Sequence, residues 1–268
     1  MTHSERFGTI EAQLKTRWVG HPTVVLDTVD STNRWLKERW SSGKIGPGTV
    51  VWADEQMAGR GRLGRQWASP AGFHIYTSLL WFPPHERLTG LMSLVAGVAV
   101  VRAVRAITHL DARLKWPNDA VIGGKKFAGV LVEAGQEPVP WAIIGIGMNV
   151  RGSIGPSFPH ATTLEEASGR TIARGNLWLQ LMGELEQAYT SWKDNGDQWV
   201  VEAWSAINVT LGQEVRIEQP GHAPWTGTAD QLDLDGGLWV KIPGRRVKVI
   251  SGEVSVRLAD GRYAPERF

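Results

Sequence analysis

The chain has 268 residues, of which 42% are hydrophobic and 21% are charged, as is typical of one or two globular domains and not of a disordered chain. Its 29 basic and 27 acidic residues nearly balance, which argues against a protein that binds polyanions through a strong positive field. The absence of cysteine excludes disulfides and thiolate metal sites and is compatible with a reducing compartment.

The N-terminal segment, MTHSERFGTIEAQLKTRW, lacks the basic and apolar regions of a signal peptide. The most apolar segment, LMSLVAGVAVV at 91–101, is shorter than the about 20 residues that cross a bilayer. We therefore expect a cytoplasmic protein without membrane contacts, in which 91–101 belongs to a core helix.

The first half of the chain predicts strands joined by two helices. Apolar and β-branched runs predict three strands, at 22–29, 49–55 and 73–82. Capping residues, Asp30 to Asn33, precede a short helix at 33–40, and a long, buried helix is predicted at 87–109. The next residues predict further strands, at 113–117, at 120–135 as a hairpin that turns at Gly123–Gly124, and at 141–150.

The second half changes character near residue 210. Helices are predicted at 163–168 and 174–206. After Asn208, five short alternating segments with Gly and Asp turns between them predict a small β-barrel. We expect an α+β domain at 1–209 and a β domain at 210–268.

The stretch GRGRLGR, residues 59–65, alternates glycines with arginines. Glycine lets a backbone approach a ligand closely, and arginine offers a planar set of donors for phosphate or carboxylate. The stretch matches neither the dinucleotide-binding fingerprint nor the P-loop. It predicts a loop that closes over an anion, although such a stretch taken alone is more often a solvated loop.

Two other stretches carry charged and amide groups at close spacing, KWPND at 115–119 and KKFAGVLVE at 125–133. Taken alone, the first is usually a turn and the second a solvent-facing strand pair, just as Ser31–Thr32 is usually a helix cap. Phosphoryl and nucleotidyl transfer need several cations and a metal ligand around one phosphate. The three stretches together therefore favour such a reaction.

Five motifs in order, DSTN, EQMAGRGRLGRQW, KWPND, KFAGVLVE and GIGMN, resemble those of biotin protein ligases, and the tail SGEVSVR is similar to that family's C-terminal module. The resemblance covers residues 22–258. It implies a class II aminoacyl-tRNA synthetase-like α+β domain followed by an SH3-like barrel. It also implies an enzyme that uses ATP and Mg²⁺ to form biotinyl-5′-AMP and then transfers biotin to a lysine of a carboxylase's biotin carboxyl carrier domain.

The resemblance assigns catalytic roles to four residues. Arg60 would lie where the biotin carboxylate meets the α-phosphate, Lys126 would bridge the two groups, and Lys115 would contact phosphate. Asp119 would hold nucleotide or magnesium, and it is also our candidate for helping the acceptor lysine lose its proton.

The resemblance also divides the site between the two substrates. Biotin would be bound by hydroxyl, amide and cationic groups and by closely approaching backbone, at Ser31, Thr32, Asn33, Gln56, Gly59, Arg60, Tyr76, Lys126 and Gly129. ATP would be bound by cations, amides and an indole that packs on adenine, at Arg62, Arg65, Trp67, Lys115, Asn118, Asn149 and Arg257. The assignment of Arg257 depends on the C-terminal module, whose match is looser.

The chain departs from the family pattern in two places. About 20 residues precede the first strand, too few for the helix-turn-helix domain of relatives that repress the biotin operon, so we expect no operator binding. His74 stands where the family usually has Asn, and we expect its ring to face backbone or solvent. Family members also dimerise by extending a sheet, for which the strand at 141–150 is our candidate edge.

Three alternatives stay open at this point. A lipoate or octanoate ligase of the same fold type would bind a substrate without a ureido ring, and that family lacks the GRGRLGR loop. A nucleic-acid binder would use the arginines, the tryptophans and the barrel, but the near-neutral charge argues against it. An inactive homologue would have lost at least some of the matched cations.

Overall fold

The computed structural model describes residues 2–84, 90–251 and 254–266. Its larger sheet has seven strands in the order β1-β2-β3-β7-β6-β5-β4, with β1 and β2 parallel and the other pairs antiparallel. The strands are β1 (Thr23–Val29), β2 (Val50–Gln56), β3 (Ile75–Trp81), β4 (Arg113–Lys115), β5 (Asp119–Ile122), β6 (Lys125–Gly135) and β7 (Trp141–Met148).

Helices cover both faces of this sheet. They are α1 (His3–Phe7), α2 (Thr32–Ser41), α3 (Leu91–Thr108), α4 (Leu164–Ser168) and α5 (Arg174–Ser205). Successive residues of a strand point to opposite faces, and Trp52 packs with α3 and α5 whereas Val51 packs with Leu36 of α2. The sheet therefore lies between the α3–α5 pair and α2.

Helix α3 is long and apolar enough to span a membrane by composition alone. However, 72% of its residues are buried inside the protein, against the sheet and α5. A buried core helix passes the same compositional test, and we describe α3 as one.

A second sheet follows α5. It has five antiparallel strands in the order β11-β10-β9-β8-β12. They are β8 (Glu214–Glu218), β9 (Trp225–Leu232), β10 (Leu238–Ile242), β11 (Arg245–Val249) and β12 (Ser255–Leu258). Its apolar face joins the core of the larger sheet. Trp116 connects the two sheets, because its backbone N–H donates to Thr210 Oγ1 (2.9 Å) and its indole Nε1 to the Gly236 carbonyl (3.0 Å).

Most predicted elements are present, but helix α1 was not predicted, two predictions differ from the structure, and part of a third lies outside the described residues. Strand β7 lies between β3 and β6, so the expectation that it forms a sheet edge is wrong. Gly196, at φ 75° and ψ −175°, breaks the helical geometry of α5, which the sequence predicted as one continuous helix. Residues 87–89 of the predicted helix 87–109 lie outside the described residues.

Candidate active site

A cavity of about 450 Å³ lies between the N-terminus of α2, the Gly/Arg loop, the ends of β5, β6 and β7, and the C-terminal sheet. Every predicted site residue lines this cavity except Gly59, Tyr76 and Arg257. The five motifs, which are spread over residues 30–149 of the chain, thus converge on one space, as their predicted shared function requires.

Hydroxyl and amide groups line one end of the cavity, which we call the polar end. Ser31 has the backbone geometry of an N-cap, but its hydroxyl makes no capping hydrogen bond in the part of the chain that the structure describes. Gln56 Oε1 instead accepts from the Thr32 backbone N–H (2.9 Å) and hydroxyl (3.0 Å). The Gln56 amide group donates to Ser69 Oγ (3.0 Å). The helix start is therefore organised around Gln56, and the Ser31 hydroxyl is left for a ligand.

A chain of polar contacts leads from the polar end to the Gly/Arg loop. Ser78 Oγ lies 2.7 Å from both Thr32 Oγ1 and Asn33 Oδ1. The amide nitrogen of Asn33 donates to Glu133 Oε2 (2.9 Å), and Arg60 Nη2 lies 3.2 Å from the same oxygen. Glu133 thus holds Arg60 by an ion pair, and the Arg60 side chain is 47% exposed.

Two glycines form the floor of the middle of the cavity. Tyr76, Gly147, Gly129 and Asp119 lie opposite one another across β3, β7, β6 and β5, so these positions share one face. A Cβ on Gly147 would lie 2.6 Å from Trp67 Cε2, and one on Gly129 would lie 3.1 Å from Lys126 Cε and Nζ. The missing side chains give the Trp67 indole and the Lys126 ammonium room to lie against the sheet.

Positive charges gather at the other end, which we call the cationic end. Lys126 Nζ lies 2.5 Å from Asp119 Oδ1, and Lys115 Nζ donates to the Val256 carbonyl of the C-terminal sheet (2.6 Å). Burial lowers the pKa of Lys115 to about 8. Burial acts to raise the pKa of Asp119, but the charges of Lys126 and Lys115 outweigh it and hold that pKa below its usual value. Asp119 is therefore ionised.

The Gly/Arg loop is folded back on itself over the cavity. The Gly61 N–H donates to the Arg65 carbonyl (2.7 Å), and the Trp67 N–H donates to the Gly59 carbonyl (2.9 Å). Arg62 crosses to the C-terminal sheet, where Nη2 donates to the Val254 carbonyl (3.3 Å), while its Nη1 donates to Asn118 Oδ1 (3.1 Å). Burial lowers the pKa of Arg62.

Comparisons with known proteins agree with this geometry. The sequence matches the biotin/lipoate A/B protein ligase family over residues 25–149 and the biotin protein ligase C-terminal domain over residues 210–257. It is 34% identical over 235 residues to the biotin–[acetyl-CoA-carboxylase] ligase of Mycobacterium tuberculosis, covering 86% of this chain and 87% of that relative. The chain belongs to the biotin protein ligase family.

Similar ligases include one solved with both small substrates. The structure of the Aquifex aeolicus biotin protein ligase in complex with biotin and ATP has a TM-score of 0.78 and 33% identity, and the match covers 88% of this chain and 99% of that one. The bifunctional ligase/repressor BirA of Escherichia coli is 30% identical, over 90% of this chain and 76% of that relative. These matches confirm the predicted α+β fold class with its C-terminal module and the predicted enzyme class.

Three predicted residues lie beside the ligase cavity and not on its wall. Gly59 is the first residue of the loop, and its carbonyl accepts a hydrogen bond from the Trp67 backbone N–H. Tyr76 is buried on the glycine face, and its hydroxyl donates to the carbonyl of Pro70 (3.2 Å), a residue that itself lines the cavity. Arg257 on β12 does not line the cavity, and its guanidinium carbon lies 5.6 Å from the centre of the Tyr263 ring, which does.

His74 is buried, and its Nδ1 accepts a hydrogen bond from the Val150 backbone N–H (3.2 Å). Its ring therefore faces backbone, which is one of the two surroundings expected from the sequence. Burial lowers the pKa of His74 to about 4, so the ring is neutral at neutral pH.

Glu133 and Tyr263 were not among the predicted site residues, although both contact predicted catalytic groups. Glu133 closes the KKFAGVLVE stretch, so its place in a motif was the available signal. The Tyr263 hydroxyl donates to Asp119 Oδ2, and Tyr263 lies beyond the last matched motif. Nothing in its local sequence distinguishes it.

The arrangement does not fit Asp119 as a magnesium ligand of the ligase. Its two oxygens already face Lys126 and the Tyr263 hydroxyl, and Lys115 adds a further positive charge nearby. Within 2–84, 90–251 and 254–266, no three His, Asp or Glu side chains are grouped as metal ligands would be. A divalent ion would have to be held chiefly by the substrate's phosphates.

Proposed function

We propose that this chain condenses biotin with ATP to biotinyl-5′-AMP and pyrophosphate, and then transfers the biotinyl group to a lysine of a biotin carboxyl carrier domain. The observation that carries the proposal is the single cavity whose polar end presents hydroxyls and amides and whose cationic end presents Lys115 and Lys126. Biotin and ATP differ in the same way, since one has a neutral ureido ring and the other a triphosphate.

In the first step, a carboxylate oxygen of biotin attacks the α-phosphorus of ATP and the bond to the departing pyrophosphate breaks. Two anions must approach, so fixed cations lower the barrier by stabilising charge on the transferring phosphoryl group. Lys126 lies between the glycine floor and Asp119, and Arg60 and Arg62 extend from the loop above. We assign Lys126 to the α-phosphate and carboxylate, and Arg62 and Lys115 to the remaining phosphates.

The polar end supports biotin as the carboxylate substrate. We assign the ureido ring to the Ser31 hydroxyl, which makes no capping hydrogen bond among the residues that the structure describes, and to the remaining N–H of Gln56. A lipoyl or octanoyl chain would leave these buried polar groups unpaired, which costs binding energy. The relatives named above are biotin ligases, which favours the same substrate.

In the second step, the acceptor lysine's amine attacks the carbonyl carbon of the adenylate, AMP leaves, and an amide bond forms. The M. tuberculosis relative is named for acetyl-CoA carboxylase, and we propose a carrier domain of such a carboxylase as the partner. Asp119 stays our candidate for receiving the amine's proton, because it is ionised at the cavity wall, although its lowered pKa makes it a weak base.

The two parts of the chain have different proposed roles. We assign residues 1–209 to substrate binding and residues 210–268 to a module that closes the cationic end through Val254 and Val256. We propose a cytoplasmic enzyme that uses Mg²⁺ bound to ATP and does not bind an operator, in line with a net charge of +2.

If the chain dimerises by sheet extension, β1 is the candidate edge of the larger sheet. The other edge strand, β4, is already covered, because the Leu114 N–H donates to the Ile207 carbonyl and the Val209 N–H donates to the Leu114 carbonyl.

Pyrophosphate release tests the adenylation half of the proposal. The protein is incubated with ATP, Mg²⁺ and either biotin, lipoate or neither, and pyrophosphate is measured over the first turnover. We expect one equivalent with biotin and none without it. Release that is equal with lipoate would overturn the assignment of the polar end, and release with neither acid would show ATP hydrolysis instead of adenylation.

A further inference from the structure

The segment after β12 returns to the junction between the two sheets. Ala264 is buried with Val121 of β5 and with Val209, which precedes the C-terminal sheet. A Cβ on Gly124 would lie only 2.9 Å from the Ala264 carbonyl oxygen, so this backbone lies directly against the β5–β6 turn. The packing fixes Tyr263, the preceding residue, at the wall of the cavity.

Tyr263 contacts several charged groups of the cationic end. Its hydroxyl donates to Asp119 Oδ2. The ammonium of Lys115 lies 4.3 Å from the centre of the ring, and His160 is stacked against the ring at 5.9 Å. Burial raises the pKa of Tyr263 well above its usual value, so the hydroxyl keeps its proton and acts as a donor. The residue thus contributes a hydrogen bond and a cation–π contact to one cluster.

The hydrogen bond completes the surroundings of a buried carboxylate. Asp119 has one oxygen against the Lys126 ammonium and the other against the Tyr263 hydroxyl. A buried ion pair keeps its geometry only when its remaining hydrogen-bonding sites are satisfied. Without the hydroxyl, Asp119 is free to rotate and to compete for both lysines, and the Lys126 ammonium loses its fixed direction.

We propose that Tyr263 is a positioning residue for adenylation, which holds Asp119 so that Lys126 points at the reacting carboxylate and α-phosphate. The proposal rests on the adenylation activity proposed above. The simpler alternative is that Tyr263 only packs the junction between the sheets. The two differ in what the hydroxyl alone does, because Phe would keep the ring, the packing and the contact with Lys115.

The test compares Tyr263→Phe with Tyr189→Phe, a matched control. Tyr189 is also a partly buried tyrosine, and its hydroxyl donates to the Phe82 carbonyl (3.0 Å), outside the cavity. We expect Tyr263→Phe to lower kcat for biotin-dependent pyrophosphate release about 10- to 100-fold, the size of a lost hydrogen bond to a charged group. KM for biotin should stay unchanged, because the polar end is untouched, and Tyr189→Phe should behave like wild type.

Thermal unfolding of the three proteins completes the test. A Tyr263→Phe protein with wild-type kcat overturns the positioning role. A kcat loss accompanied by an equal rise in KM for biotin and a lowered Tm also overturns it, because that result indicates general loss of packing. If wild type itself releases no biotin-dependent pyrophosphate, it is the proposed function that fails.

Discussion

Gly147→Ala tests whether the Trp67 indole must lie on the sheet for nucleotide to bind. The new methyl would lie 2.6 Å from Trp67 Cε2 and 2.7 Å from Nε1, so the ring must withdraw by about 0.8 Å to reach the 3.4 Å of ordinary contact. Overpacking of this kind costs about 1–3 kcal/mol. We expect the affinity for a non-hydrolysable ATP analogue to fall about 5- to 150-fold by calorimetry, since each 1.4 kcal/mol is tenfold.

Two comparisons show whether the effect acts through the indole. Gly183→Ala on α5 is the matched control, because its methyl would meet nothing within 4 Å. In a Trp67→Ala background, Gly147→Ala should cost nothing further, since the clashing ring is gone. Biotin affinity should change less than nucleotide affinity in every variant. Additive losses, or a Gly147→Ala protein that binds the analogue like wild type, would refute the assigned place of Trp67.

The remaining predictions concern the charged groups. Lys126→Ala should slow biotin-dependent pyrophosphate release about 100- to 1,000-fold, whereas Lys125→Ala, at the exposed neighbouring position, should leave the rate unchanged. A near-normal rate for Lys126→Ala would refute the role assigned to Lys126. Glu133→Gln keeps an oxygen that accepts from Asn33 but removes the negative charge that pairs with Arg60. Arg60 is then available to the biotin carboxylate, so the affinity for biotin should rise by at most about fivefold. Weaker biotin binding would contradict the view that Glu133 and biotin compete for Arg60. Nucleotide affinity should fall as pH rises through about 8, because Lys115 then loses its charge, and Lys115→Met should bind weakly without that pH dependence.

Local patterns explain why most of the fold was predictable. The hairpin of β5 and β6 follows from alternating apolar residues around Gly123–Gly124, whose φ values of 53° and 75° suit a two-residue turn. The order of the strands in the sheet could not be predicted from local patterns, because the residues of a strand do not indicate which distant strand it pairs with. For that reason β7 was expected at an edge although it lies in the middle of the sheet.

The site shows the same limit at the level of side chains. The motif residues could be predicted from the resemblance and from the need of phosphate chemistry for cations and close backbone, and the predicted Lys126 and Gly129 do lie side by side. Glu133 was signalled only by its place in a motif and not by its contact with Arg60, and Tyr263 could not be predicted, since it reaches Asp119 only after the chain has folded. The break in α5 at Gly196 could have been predicted, because Asn-Gly within a helical pattern is a common signal for the end of a helix.

Intact mass of a biotin carboxyl carrier domain tests the central claim most directly. The domain is incubated with this protein, ATP, Mg²⁺ and equal concentrations of biotin and lipoate. The account predicts a mass increase of one biotinyl group that disappears when ATP is omitted. A lipoyl adduct would contradict the specificity assigned to Ser31 and Gln56, and the absence of any adduct, together with no free biotinyl-5′-AMP, would contradict the proposed activity itself.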